Sequence, residues 1–205
     1  NQKLTTGTMK NRLLITLLFL SSALAAFCQF GVGVRDSRFI YGDFTFRRHW
    51  TVKLEESVFP EKIGLQYLRA YAGYQGDWKS LDYDAQAYFG ACYNGDYHSY
   101  GLLASARYTL FDRVMIDGKI NPHYDSGYGY KTCFYAGAGV KITKNIDVLA
   151  GYTTIPEYRM SEKRVHAGFD FHVNRLSVQP MLSIETSGDR NAKTLRTLVG
   201  FRYEF

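Results

Sequence analysis

Cysteine, proline and long apolar runs are all scarce in this chain, and each scarcity removes a class of architecture. Three cysteines in 205 residues are too few for a disulfide-stapled scaffold, and no Cys-x-x-Cys pair suggests a zinc ribbon or a dithiol redox centre. With four prolines there is no proline-rich linker. The longest apolar stretch, residues 13–27, is about fifteen residues, short of the ~20 that a helix needs to cross a bilayer. Phosphate-cradling glycine loops and nucleic-acid motifs are absent. No cofactor or metal is implied.

The apolar stretch has a different use. Lys10 and Arg12 precede an apolar run at 13–20 and small residues at 21–26, the layout of a secretory signal peptide. Residues 1–8 are expected to be an upstream extension, 9–28 the signal peptide, and 29–205 a single domain. Cys92 and Cys133, which remain after such a segment, are read as free thiols.

What fills that domain is alternation. Leu81, Tyr83, Ala85, Ala87, Phe89, Ala91 and Tyr93 share one face, and Asp82, Asp84, Gln86, Tyr88, Gly90 and Cys92 the other, a period of two. Segments 100–110, 134–142, 146–154, 165–171 and 176–184 follow the same rule, and none beyond residue 28 shows a helical period. A soluble sandwich would turn its polar face outward. Here charges gather on one face and apolar residues on the other, in segments of about ten residues that suit a tilted membrane crossing. Aromatics mark both segment ends, with Tyr74, Tyr108, Phe171 and Tyr203 at one level and Tyr93, Tyr100, Phe134 and Tyr152 at the other, as two interfacial belts require.

Connection lengths alternate too. Short ones fall near 47–49, 76–80, 111–113, 143–145 and 173–175, and longer ones near 58–61, 94–99, 125–131, 156–161 and 186–192. Outer-membrane barrels keep short turns in the periplasm and long loops outside. Counting back from the C-terminus, with a first strand at 30–35 turning at Asp36 and Ser37, gives an all-β, antiparallel transmembrane β-barrel of about twelve strands. Ten is the alternative if the 30–57 region pairs differently.

The last strand carries a motif. Leu195, Thr197, Val199, Phe201, Tyr203 and Phe205 lie on one face. Gly200, Tyr203 and Phe205 resemble the C-terminal insertion signature of bacterial outer-membrane β-barrel, porin-like proteins; Leu198 departs from it where a polar residue is usual. The resemblance implies the outer membrane of a Gram-negative-type bacterium, contact with outer-membrane lipid, and recognition by the barrel-insertion machinery. Barrels of this size include oligosaccharide channels and a lipase, so it does not choose a function.

Candidate site residues follow from the inward face. Lys53, Arg69, Arg107, Lys119, Lys141, Arg164, Arg196 and Arg202 oppose Asp43, Glu55, Asp82, Asp84, Asp117, Asp147, Asp170, Glu185 and Glu204, which predicts a nearly neutral lumen without strong ion selectivity. His166, Asp170 and His172 share that face; polar lining is favoured over metal or acid–base chemistry, because no His-x-Ser pair supplies a nucleophile. Residues 121–132 are expected to form an external binding loop in which Tyr124, Tyr128 and Tyr130 stack on sugar rings while His123 and Asp125 offer hydrogen bonds. The basic excess falls on the short turns. The expected function is a narrow passive channel for a small polar solute or saccharide. A closed accessory barrel with a basic periplasmic face ranks second, and a lipid-modifying enzyme third.

Overall fold

Apolar and polar residues alternate over most of the chain, and a pleated ribbon sends successive side chains to opposite faces, so each segment can satisfy two different solvents. The computed structural model describes residues 28–35, 39–57, 67–93, 96–155, 163–186 and 195–205. Among them it contains β1 (Cys28–Arg35), β2 (Phe39–Phe46), β3 (Trp50–Ser57), β4 (Tyr67–Trp78), β5 (Leu81–Cys92), β6 (His98–Leu110), β7 (Val114–Asp125), β8 (Gly129–Thr143), β9 (Ile146–Thr153), β10 (Arg164–Val173), β11 (Leu176–Glu185) and β12 (Leu195–Glu204). Every strand pairs antiparallel with its sequence neighbours, and β1 pairs with β12 to close the barrel. Closure leaves no open sheet edge, the condition for a sheet in lipid. The 30–57 region supplies three continuously paired strands, so the count is twelve rather than ten.

The outer surface is apolar: Leu54, Leu102, Ile116, Ile120, Phe134 and Leu182 are all exposed, as a lipid-facing band requires. Cys92 and Cys133 are free. The expected extension and most of the leader, the turn at Asp36 and Ser37, and much of the long connections (58–66, 94–95, 156–162 and 187–194) lie outside the described residues. Cys28, placed in the leader by sequence, begins β1.

The short connections are tight hairpins. Arg47 and Arg48 have φ of 52° and 65°, and Phe111 and Asp112 of 51° and 55°, the positive pair that a type I′ turn needs. Bonds from His49 N–H to the Phe46 carbonyl (3.3 Å) and from Arg113 N–H to the Leu110 carbonyl (3.0 Å) close them. The connection expected at 76–80 is shorter, because β4 runs on to Trp78 and leaves Lys79 and Ser80 as the turn.

Residues 121–132 overturn an expectation. They are not an external loop but mainly the ends of β7 and β8, joined by a turn at 126–128. Pro122 suggests a loop because proline withholds an N–H from the ladder. The β6–β7 register is indeed interrupted between Gly101↔His123 and Ala104↔Ile120. Asn121 repairs it, its side-chain amide donating to the Leu102 carbonyl at 2.7 Å, so a side chain satisfies the acceptor that the interrupted ladder leaves. Pro180 sits in a similar interruption of β10–β11, between Gly168↔Met181 and Phe171↔Val178. There Ser177 and Gln179 donate to Asp170 at 2.8 and 2.6 Å.

The Asn121→Leu variant should therefore lose about 1–3 kcal/mol of stability, the cost of a buried carbonyl left without a donor. Urea unfolding of vesicle-folded protein would show it as a lowered midpoint. Thr132→Val, on the exposed face, should leave the midpoint unchanged.

Candidate functional site

The inward faces of the strands enclose a cavity of about 720 Å³. Its wall extends from Arg48 and Asp77 beside the short turns to Ile155 and Arg164 at the opposite rim, so it follows the barrel axis. Of the expected lining residues, Lys53, Arg69, Asp82, Asp84, Arg107, Asp117, Lys119, Arg164 and His166 border it. Lys141, Asp147, Asp170, His172, Arg196 and Arg202 share the inward face without bordering it.

The densest part of the wall centres on Glu55, 1% exposed. The period of two sets Lys53 and Glu55 on one face of β3, and the register sets Glu55 opposite Arg69 of β4. Arg35 reaches it from β1, donating through Nη2 at 2.9 Å and Nε at 3.1 Å. Lys53 and Arg69 approach to 3.7 and 3.8 Å, and the Tyr71 hydroxyl donates at 3.3 Å. The Arg69 guanidinium also lies 5.0 Å from the Tyr67 ring and 5.1 Å from that of Tyr88. A carboxylate buried this deeply is stable only with such partners. Gly90 makes room on the same face: a Cβ there would collide with the Tyr67 ring and hydroxyl.

Other inward charges are paired across strands. Arg107 donates to both Asp117 oxygens, at 2.6 and 3.3 Å, a forked geometry that holds both side chains. Arg202 forks onto Asp43 at 2.8 and 3.0 Å, linking β12 to β2 past β1. Arg196 meets Glu185 at 2.5 Å. Asp147 and Asp170 are cross-strand partners, with His172 at 3.6 and 3.4 Å. His166 stands apart from that group, stacked on Tyr135 at 5.4 Å. Among the described residues no cluster of His, Cys, Asp or Glu is arranged to hold a metal ion. Lys119, like Lys141, forms no ion pair with a described carboxylate; it is exposed on the inward face and lies 5.4 Å from the Tyr135 ring.

This arrangement corrects the expected neutrality. Bases and acids balance over the inward face as a whole, but Asp43, Asp147, Asp170, Glu185 and Glu204 do not border the cavity. Around the cavity itself, Arg35, Arg48, Lys53, Arg69, Arg107, Lys119 and Arg164 face Asp77, Asp82, Asp84 and Asp117. Counting Glu55 behind them, bases still outnumber acids among the described residues of the wall.

The expected binding loop separates into two surfaces. His123 and Asp125 are buried on the inward side, and Asp125 accepts from the Tyr97 hydroxyl and from the N–H groups of Gly127 (2.7 Å) and Tyr128 (3.1 Å). Burial, and then the bond to Asp125, push the Tyr97 phenol well above its ordinary value. Tyr124 and Tyr130 point outward, Tyr124 stacking on Tyr100 at 5.1 Å and meeting Tyr130 edge-on at 5.0 Å. Tyr128 is exposed at the turn, with Lys131 4.2 Å from its ring. His123, Tyr124 and Tyr130 border one groove of about 350 Å³ together with Tyr100 and Lys131, whereas Asp125 and Tyr128 do not border it. At the C-terminus, Phe205 packs on Tyr203 at 4.9 Å and on Phe30 of β1 at 5.5 Å, and Gly200 lies opposite Gln179.

No family model matches the chain, and no curated protein is detectably similar in sequence. Solved structures are similar in shape. Two structures of the KdgM porin, one in complex with disordered oligogalacturonate, superpose with a TM-score of 0.58 at 9% identity, over 87% of this chain and 98% of theirs. The fold is similar to that of a porin barrel. A NanC porin structure aligns over 86% of this chain and 97% of its own at 9% identity, with a TM-score of 0.49.

Sequence reasoning missed Arg35 and the tyrosines Tyr67, Tyr71 and Tyr135 as site residues. The period of two does put Tyr67 and Tyr71 on the face of Arg69, which was the available signal. Arg35 ends a short strand beside undescribed residues and carries no such periodic mark.

Replacing Glu55 by Gln should leave three clustered bases without their shared carboxylate. A stability loss on the order of 3 kcal/mol is expected, measured by denaturant unfolding of the inserted barrel. Lys119→Gln, which removes a base without an ion-pair partner, should cost far less.

Proposed function

We propose that the chain is a narrow passive channel for small polar solutes in the outer membrane of a Gram-negative-type bacterium, with a modest preference for anions. The observation that carries this reading is the cavity along the barrel axis with its surplus of basic side chains among the described residues. A closed structural barrel would fill that space with side chains. Fixed charge of one sign in a confined path raises the local concentration of the opposite ion. The KdgM porin is recorded with an oligogalacturonate, which supports a saccharide as the solute class to test first. Under this reading Lys53, Arg69, Lys119 and Arg107 meet the solute, and the tyrosines beside them offer faces for sugar rings.

Single-channel recording in a planar bilayer tests it. Discrete conductance steps should appear, with a reversal potential in a KCl gradient that favours chloride. The double variant Lys53→Glu/Lys119→Glu should move that potential toward cations. If correctly folded protein conducts nothing, the channel reading falls and the closed accessory barrel replaces it.

Residues 9–28 are proposed as the export signal, following 1–8 as an extension, and Gly200, Tyr203 and Phe205 as the segment read by the insertion machinery. Phe205 also packs across the closing seam, so a control is needed. Deleting Phe205 should lower the amount of inserted protein much more than Phe30→Ala, which removes the same ring contact, or Val178→Ala. Equal amounts in washed outer membranes would contradict the assignment.

A further inference from the structure

Beyond the solute path lies a charged rim formed by the short turns, of whose residues Arg48 and Asp77 also border the cavity. Five hairpins end there among the described residues, and each carries an exposed base: Arg47 and Arg48, Lys79, Arg113, Lys144 and Arg175. Among the described residues Asp77, Asp112 and Glu204, whose N–H donates to the Arg175 carbonyl, oppose them in or beside these turns. We propose that this rim is a docking ring for anionic phospholipid headgroups in the leaflet that meets it.

Three observations favour lipid over a protein partner. The bases are spread around the circumference of a closed barrel, matching an annulus of headgroups rather than a patch that one globular partner would cover. They are interleaved with large apolar side chains: Phe111 is 90% exposed at a turn tip and Trp78 is 65% exposed. Both continue the apolar outer band, where aromatic residues anchor at the headgroup level. Lys79 lies 5.2 Å over the Trp78 ring, which holds the cation at that same depth. The third observation is conformational. Arg47, Arg48 and Lys79 occupy left-handed positions with φ of 52°, 65° and 58°, which local preference would give to Gly, Asn or Asp. A base kept where the turn prefers another residue points to a use for its charge. Attraction of this kind adds up over several bases and is screened by salt.

The left-handed positions also supply a clean test. In the variant Arg47→Asn/Lys79→Asn/Arg113→Gln/Lys144→Gln, asparagine suits the turns it enters, so folding is retained while charge is lost. The full chain, folded in neutral detergent, would be offered equal amounts of phosphatidylglycerol and phosphatidylcholine of the same acyl chains, and the bound lipid counted by native mass spectrometry. Wild type should retain phosphatidylglycerol preferentially, and less so as salt is raised. The preference should fall by up to about fivefold for each base removed, whereas Lys119→Gln, inside the lumen, should leave it unchanged. Equal retention of the two lipids by wild type overturns the proposal, as does an unaltered preference in the fourfold variant. Binding of polyglutamate by wild type without any preference for phosphatidylglycerol would overturn it in favour of an acidic protein partner.

Discussion

In lipid a peptide group has no water to bond with, and every other feature of this barrel follows from meeting that demand. Twelve strands can meet it only by closing on themselves, and the closing pair has the shortest register among the described strands. Its register spans Gly31 to Val34 against Phe201 to Glu204. The Phe205 N–H then donates to the Phe30 carbonyl at 2.9 Å, while Arg202 bridges to Asp43 on β2. Where proline interrupts the ladder, at Pro122 and Pro180, side-chain amides and a hydroxyl form the local bonds. The prolines are compatible with membrane-spanning strands because of what stands beside them.

Closure also decides how charge is handled. Polar residues excluded from lipid must face inward, and a ring of twelve strands brings many of them within a few ångströms of one another. Pairing acids and bases across neighbouring strands, as in Arg107 with Asp117 or the bases around Glu55, lowers the cost of confinement. The pairing is uneven in depth. Glu55 and Asp117 are buried against the wall whereas Lys119 is exposed to the lumen, so an inward face that nearly balances in sum leaves more bases than acids among the described residues that border the cavity.

Much of this was legible in the sequence, and the reason is the period of two. From β4 onward the apolar and polar faces follow from alternation alone, which fixed the inward set from Arg69 to Arg202 and the outward aromatics. Alternation carries no information about depth or pairing. It could not distinguish Glu55, buried under three bases, from Asp82, exposed to the lumen. Pro122 misled because its local preference is that of a loop, and the Asn121 bond that overrides it spans β7 to β6, beyond any local window. The tyrosines at 124 and 130 were identified as aromatic but assigned to the mouth, since a loop reading gives no face; once those residues are strands, the same alternation turns Tyr124 and Tyr130 outward and His123 and Asp125 inward.

The account stands on one claim: each strand has one face in lipid and one in lumen water. A spin-label scan along β7 from Val114 to Asn121, in vesicles and in a background with Cys92 and Cys133 replaced by serine, measures this directly. Collision with oxygen, which partitions into lipid, should be high at 114, 116, 118 and 120. Collision with a water-soluble nickel chelate should peak at 119 and stay low at those even positions. Equal access of the chelate to both sets would mean a soluble sheet, and no access at 119 would mean a closed interior; either result would contradict the account.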